Sequence, residues 1–190
     1  MEFKMKLAAV AVAGAASVAL VAGVPALASS HARAGTAVTG PEVISGTVHG
    51  KKALARATRI PLRWRGLVTT HSVINLGGGG GPHKGSVKTL GSPAGNLTLK
   101  VISKPTSSKS FSTKTCRFSF MEDIPVKVLG SQSTGAFAGA SGPGAVQVKF
   151  AVTGPRFKSG PKKGQCNPKG KPIAKTAAAS FLASLVLTIG

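Results

Sequence analysis

Between residues 43 and 189 the chain alternates apolar and polar side chains in short runs, the period-2 pattern of strands with one buried face. The clearest run places Val146, Val148, Phe150 and Val152 on one face and Gln147, Lys149, Ala151 and Thr153 on the other. It leaves a glycine-rich stretch that begins at Ser133, where Gly135, Gly139, Gly142 and Gly144 permit the positive φ angles and close backbone approaches of a sharp corner.

Other segments repeat the pattern. Residues 43–48 are β-branched and stop at Gly50, and residues 51–59 form a basic connection of one or two helical turns that Pro61 prevents from continuing. Leu62 and Trp64 then share a face, opposite Arg63 and Arg65. A tryptophan between arginines also suits stacking on a base or sugar, but the alternation favours a core ring. Gly66 predicts a bulge before a second strand over residues 67–76. Residues 86–90 and 96–102 read as strands around a turn at Ser92-Pro93-Ala94-Gly95, with Leu97, Leu99 and Val101 inward and Thr98 and Lys100 outward. Residues 103–113 predict a polar loop. Cys116, Phe118 and Phe120 alternate with Arg117 and Ser119, Glu122 and Asp123 read as a solvated turn pair, and Ile124, Val126 and Val128 resume the alternation. A long basic loop over residues 154–175 precedes a last run with Phe181, Ala183, Leu185, Leu187 and Ile189 on one face. At about ten residues that run is too short for a membrane helix and suits a closing strand.

The first residues bear on where the protein acts. Lys4 and Lys6 precede an apolar run over residues 7–24, and Ala26-Leu27-Ala28 offers a cleavage site for a secretory signal, with Ala32-Arg33-Ala34 as a second site. The competing reading is an uncleaved membrane anchor. Cleavage after Ala28 would leave a leader over residues 29–41, small, polar and mobile, then one domain over residues 42–190. The whole chain has 25 Lys and Arg against 4 Asp and Glu, a net charge of +21; the mature chain keeps about +20 on roughly 160 residues. Cys116 and Cys166 both fall in the exported part, and an even pair in an oxidising compartment reads as a disulfide worth about 4 kcal/mol in the chain-entropy model. A metal site is the alternative, disfavoured because no His or Cys stands at ligand spacing.

The chemistry-bearing motifs thin out on inspection. The glycine run over residues 77–81 looks like a phosphate loop, yet Lys84 precedes Gly85 instead of following the glycine, and the stretch from Gly46 to Lys52 fails on spacing too. A flexible hairpin loop accounts for the run. His31, His49, His71 and His83 are scattered, no serine sits in a G-x-S-x-G elbow, and the mature acids are only Glu42, Glu122 and Asp123. Asn96-Leu97-Thr98 is formally a glycosylation sequon. No catalytic residue, cofactor or metal is assigned.

The pattern Thr134-Gly135-x-Phe137-x-Gly139-Ala140-x-Gly142-x-Gly144 resembles a corner of small secreted actinobacterial proteins of uncharacterised function and, more distantly, of the allene oxide cyclase and dirigent barrels. Lys88-Thr89-Leu90-x-Ser92-Pro93-Ala94-Gly95-Asn96-Leu97 is similar to a second segment of the secreted group. The resemblance implies an all-β fold, an antiparallel β-barrel of about eight strands. No cyclase or dirigent catalytic residue maps onto this chain, which has no tyrosine.

Three functions follow as expectations. The first is a non-catalytic secreted barrel, extracellular or associated with the cell wall, that binds polyanions: wall polymers, DNA or an acidic protein. Its contacts would be Lys51, Lys52, Arg56, Arg59, Lys158, Lys162, Lys163, Lys169, Lys171 and Lys175. The bland reading of the same charge is solubility. The second is a small-molecule carrier using the barrel interior. The third is an enzyme, with the least support.

Overall fold

A computed structural model of the protein describes residues 36–55, 57–76 and 81–190. The expected signal segment, most of the leader and Arg56 lie outside them. Among the described residues there are nine strands: β1 (Val38–His49), β2 (Thr58–Gly66), β3 (Thr70–Leu76), β4 (Val87–Ser92), β5 (Gly95–Val101), β6 (Thr106–Ser112), β7 (Arg117–Val128), β8 (Pro143–Thr153) and β9 (Ile173–Ile189).

The strands form one antiparallel sheet in the order β3-β2-β1-β9-β8-β7-β5-β4. β3 comes beside β4 without a hydrogen-bonded ladder between them, so the sheet is a nearly closed eight-stranded barrel. Its longest member, β9, pairs along its length with β1 on one side and β8 on the other. β5 and β6 share one edge of β7: β5 pairs with Val126 to Val128, β6 with Arg117 to Asp123.

Alternation explains the core. Ile44, Trp64, Ile124, Val146 and Ala183 lie side by side across five strands, and all are buried. The next layer toward β9's C-terminal end runs Val126, Gly144, Leu185, Glu42, Gly66. Trp64 is 1% exposed and its indole N–H donates to Ser72 Oγ at 2.8 Å, which satisfies the one polar atom its burial would otherwise strand.

Three expectations need correction. Residues 103–113 are not simply a loop, because β6 takes up most of them; its side chains are all exposed, so no apolar period marks it. Glu122 and Asp123 are not a turn pair but sit in mid-strand in β7, pointing to opposite faces. β1 begins at Val38 rather than beyond residue 41, since Val38 to Pro41 pair with Ile189 to Val186 and so belong to the sheet, not to a mobile leader. Gly66 ends β2 at φ +148, and the tight connection of residues 67–69 follows before β3.

The glycine corner closes one end of the barrel. A short 3-10 turn, Gly130–Gln132, leads into it and a second, Gly135–Phe137, lies within it. Its backbone docks on the β4–β5 turn: Thr134 N–H donates to Asn96 O at 2.9 Å and Ala136 N–H to Ala94 O at 2.8 Å. A Cβ on Gly135 would run into the Ala94 carbonyl, and one on Gly95 into that of Thr134. Phe137, wholly buried, is carried down against Trp64.

Candidate functional site

Antiparallel pairing sorts the loops to two ends. At one end, His49 stands beside Ala178, Thr153 beside Ile173, Arg117 beside Thr153 and Ser112 beside Arg117. That end therefore carries the 3-10 turn Gly50–Leu54 after β1, the start of β2, the β6–β7 turn, the loop of residues 154–172 and the start of β9. Lys51, Lys52, Arg59, Lys158, Lys162, Lys163, Lys169, Lys171 and Lys175 all lie on these segments and all are exposed. The register thus gathers at one end candidates that are more than 100 positions apart in the chain, as Lys51 and Lys163 are.

The opposite end is formed by residues 36–41, 66–69, 92–95, 129–142 and 189–190, and none of these is Lys, Arg, Asp or Glu. The described acids keep away from the basic end. Glu42 is buried in the layer with Leu185 and Gly66, and Glu122 and Asp123 lie in the middle of β7. Asp123 accepts from Gln147 Nε2 at 2.7 Å on the outer surface.

The long loop is built rather than loose. Cys116 and Cys166 form a disulfide with their Cα atoms 5.4 Å apart, tying the loop to the β6–β7 turn. Cys116 adopts φ +54, a left-handed conformation that closes that turn. The Arg156 guanidinium donates to the carbonyls of Lys114 in the turn and Gly164 in the loop. Phe157 N–H donates to Gln165 O and Gly164 N–H to Phe157 O, at 2.9 and 3.0 Å, so Lys158, Lys162 and Lys163 sit on a hairpin-like projection. Lys114 and Arg117, which sequence reasoning left out of the site, join the basic end beside them. The pairing of Cys116 with Cys166 was the signal that could have placed both there.

No protein-family model, curated protein or solved structure matches this chain.

The barrel interior is filled at the neutral end and open at mid-height. A cavity of about 390 Å³ lies inside β3, β4, β5, β7, β8 and β9, walled by Ile74, Leu76, Leu90, Leu99, Val101, Ile124, Val126, Val146, Val148 and Phe181. Glu122 projects into it from β7, and exposed His83 and Lys88 stand at its mouth. Burial holds the Glu122 carboxyl above its ordinary value. A second hollow, about 600 Å³, lies outside the barrel over β2, β1, β9 and β8, where Arg63 and Lys149 flank Ser45, Thr47 and Ser180.

Glu42 is the other buried acid. Its Oε2 accepts from Val68 N–H at 3.0 Å and the Leu67 backbone N–H nearby also favours the charged form, while Oε1 has no partner. Desolvation outweighs these N–H groups and raises its pKa. Its place is structural, since it pins the β2–β3 connection over the end of the barrel. Among the described residues no group of three His, Cys, Asp or Glu could hold a metal ion, and His49, His71 and His83 lie on separate segments.

Proposed function

We propose that the protein acts outside the cell as a non-catalytic barrel that holds anionic polymers, wall polymers or DNA, or an acidic protein, against its basic end. One observation carries the reading: exposed lysines and arginines from five separate segments share one end of the barrel, while the other end has no charged side chain. Charge added for solubility alone has no reason to leave one end bare while other cations, such as Arg63, Arg65, Lys127 and Lys149, are spread over the strands between the ends. Convergent cations on a fixed loop also meet a polyanion with less ordering cost than a free tail would. The disulfide fits an oxidising compartment, and the apolar N-terminal run with its cleavage site supports export.

Such binding releases counterions, about 0.9 per neutralised phosphate on duplex DNA, so it weakens steeply with salt. The test is retention of the mature protein on heparin and on purified wall material at low and moderate salt. Retention at low salt that is lost steeply as salt rises supports the proposal, and passage through both at low salt ends it.

A further inference from the structure

We propose that the interior cavity binds a small molecule with an apolar body and a positively charged amine, the amine facing Glu122. This site stands on different residues from the basic cluster, although its mouth, at Asn75, Leu76 and His83, opens near the same end as Arg59.

At about 390 Å³ the cavity is in the lower range of small-ligand sites, and its wall is mostly aliphatic, with Asn75, His83, Ser86 and Lys88 on the side of the mouth and Glu122 among the apolar strand residues. Such a wall selects an apolar body by burial but does not orient it. Orientation falls to Glu122, which neighbours Val148 in β8, itself the neighbour of Phe181 in β9. Among the described residues Glu122 makes no ion pair or side-chain hydrogen bond, and desolvation is what perturbs it. The carboxyl is partly exposed, so water reaches it in the free protein, and an ammonium group seated in the cavity would supply a counter-charge and donors in place of that water. His83 and Lys88 are exposed at the mouth, where water and salt weaken their pull on an anion. The deeper, drier group therefore sets the preference.

Decylamine, decanol and decanoate share one chain and differ in headgroup. Calorimetric titration of each into the folded protein tests the assignment. The expected result is one decylamine per chain, bound at least tenfold more tightly than decanol, with decanoate weakest. Glu122→Gln is nearly isosteric and partly exposed, so it preserves the fold; it should bring decylamine to the level of decanol and leave decanol unchanged. Val148→Phe should reduce binding of both by filling the cavity. The net charge of +21 repels amines and attracts carboxylates, so surface attraction would give the opposite order. Decanoate binding more tightly than decylamine, no binding of any of the three, or an amine preference that survives Glu122→Gln would each overturn the proposal.

Discussion

The ring of Phe137 lies 5.1 Å from that of Trp64, with the planes tilted by 38°. One residue comes from the glycine corner and the other from β2, so the contact fastens the corner to the barrel interior across the closed end. Offset aromatic pairs gain about 0.5–1.5 kcal/mol beyond burial alone. Phe137→Ala should cost about 3–5 kcal/mol in urea unfolding. Trp64 is the single tryptophan, so its emission should shift to the red in the folded variant. Unchanged emission would mean the corner does not cover it.

The corner's glycines differ in how much they are needed. Gly142 has φ +140 and a Cβ there would strike the Val186 carbonyl, whereas Gly139 has φ +73 with nothing nearer than Gly190 O at 4.0 Å. Gly139→Val should cost roughly 1–2 kcal/mol, the strain of a left-handed residue alone. Gly142→Val adds a backbone collision to that strain and should cost more than about 4 kcal/mol or prevent folding. Equal melting temperatures for the two variants would contradict this.

Glu42 makes stability depend on pH. Its pKa is raised in the folded state, so the folded protein binds the proton more tightly than the unfolded chain does. Stability is then highest below the unfolded carboxyl's pKa and falls as pH rises through the folded value. Glu42→Gln should raise the melting temperature at pH 7, and the gain should vanish below the ordinary carboxyl range. Glu42→Leu should instead lose roughly 1–3 kcal/mol at every pH, because the Val68 N–H loses its acceptor. Parallel stability curves for wild type and Glu42→Gln across pH would refute the assignment.

The disulfide holds the basic projection in place. Replacing Cys116 and Cys166 together by serine should lower unfolding stability by about 4 kcal/mol. Hydrogen exchange should quicken at the Phe157 and Gly164 amides, which bond within the loop. Protection at the β8–β9 ladder should persist wherever global unfolding does not dominate exchange. A loop whose exchange is unchanged would be held by the Arg156 bonds alone.

Most of the barrel was legible because its inward positions are apolar and alternate. Leu62, Trp64, Leu97, Leu99, Val126, Val146 and Leu185 were all placed inward by period, and all are buried. β6 escaped because Thr106–Ser112 buries nothing and pairs only with β7. Glu122 escaped for a different reason. It stands in phase with Phe118, Phe120, Ile124 and Val126, but a charged residue in an apolar row reads as a break unless the row is known to face a cavity. The basic end was legible only as separate segments. Period says which face a residue takes; strand order says which end, and that order came from pairing that no local pattern encodes.

The most direct test of the basic end as a binding site compares two variants of equal charge. One replaces Lys158, Lys162, Lys163 and Lys169 by glutamine at the basic end, and the other replaces Arg63, Arg65, Lys88 and Lys127 by glutamine away from it. Both are eluted from heparin with a salt gradient. The first should leave the column at clearly lower salt than the second, which should stay close to the wild-type protein. Elution of both at the same salt would show that net charge alone governs the interaction, and would contradict a basic end that acts as a site.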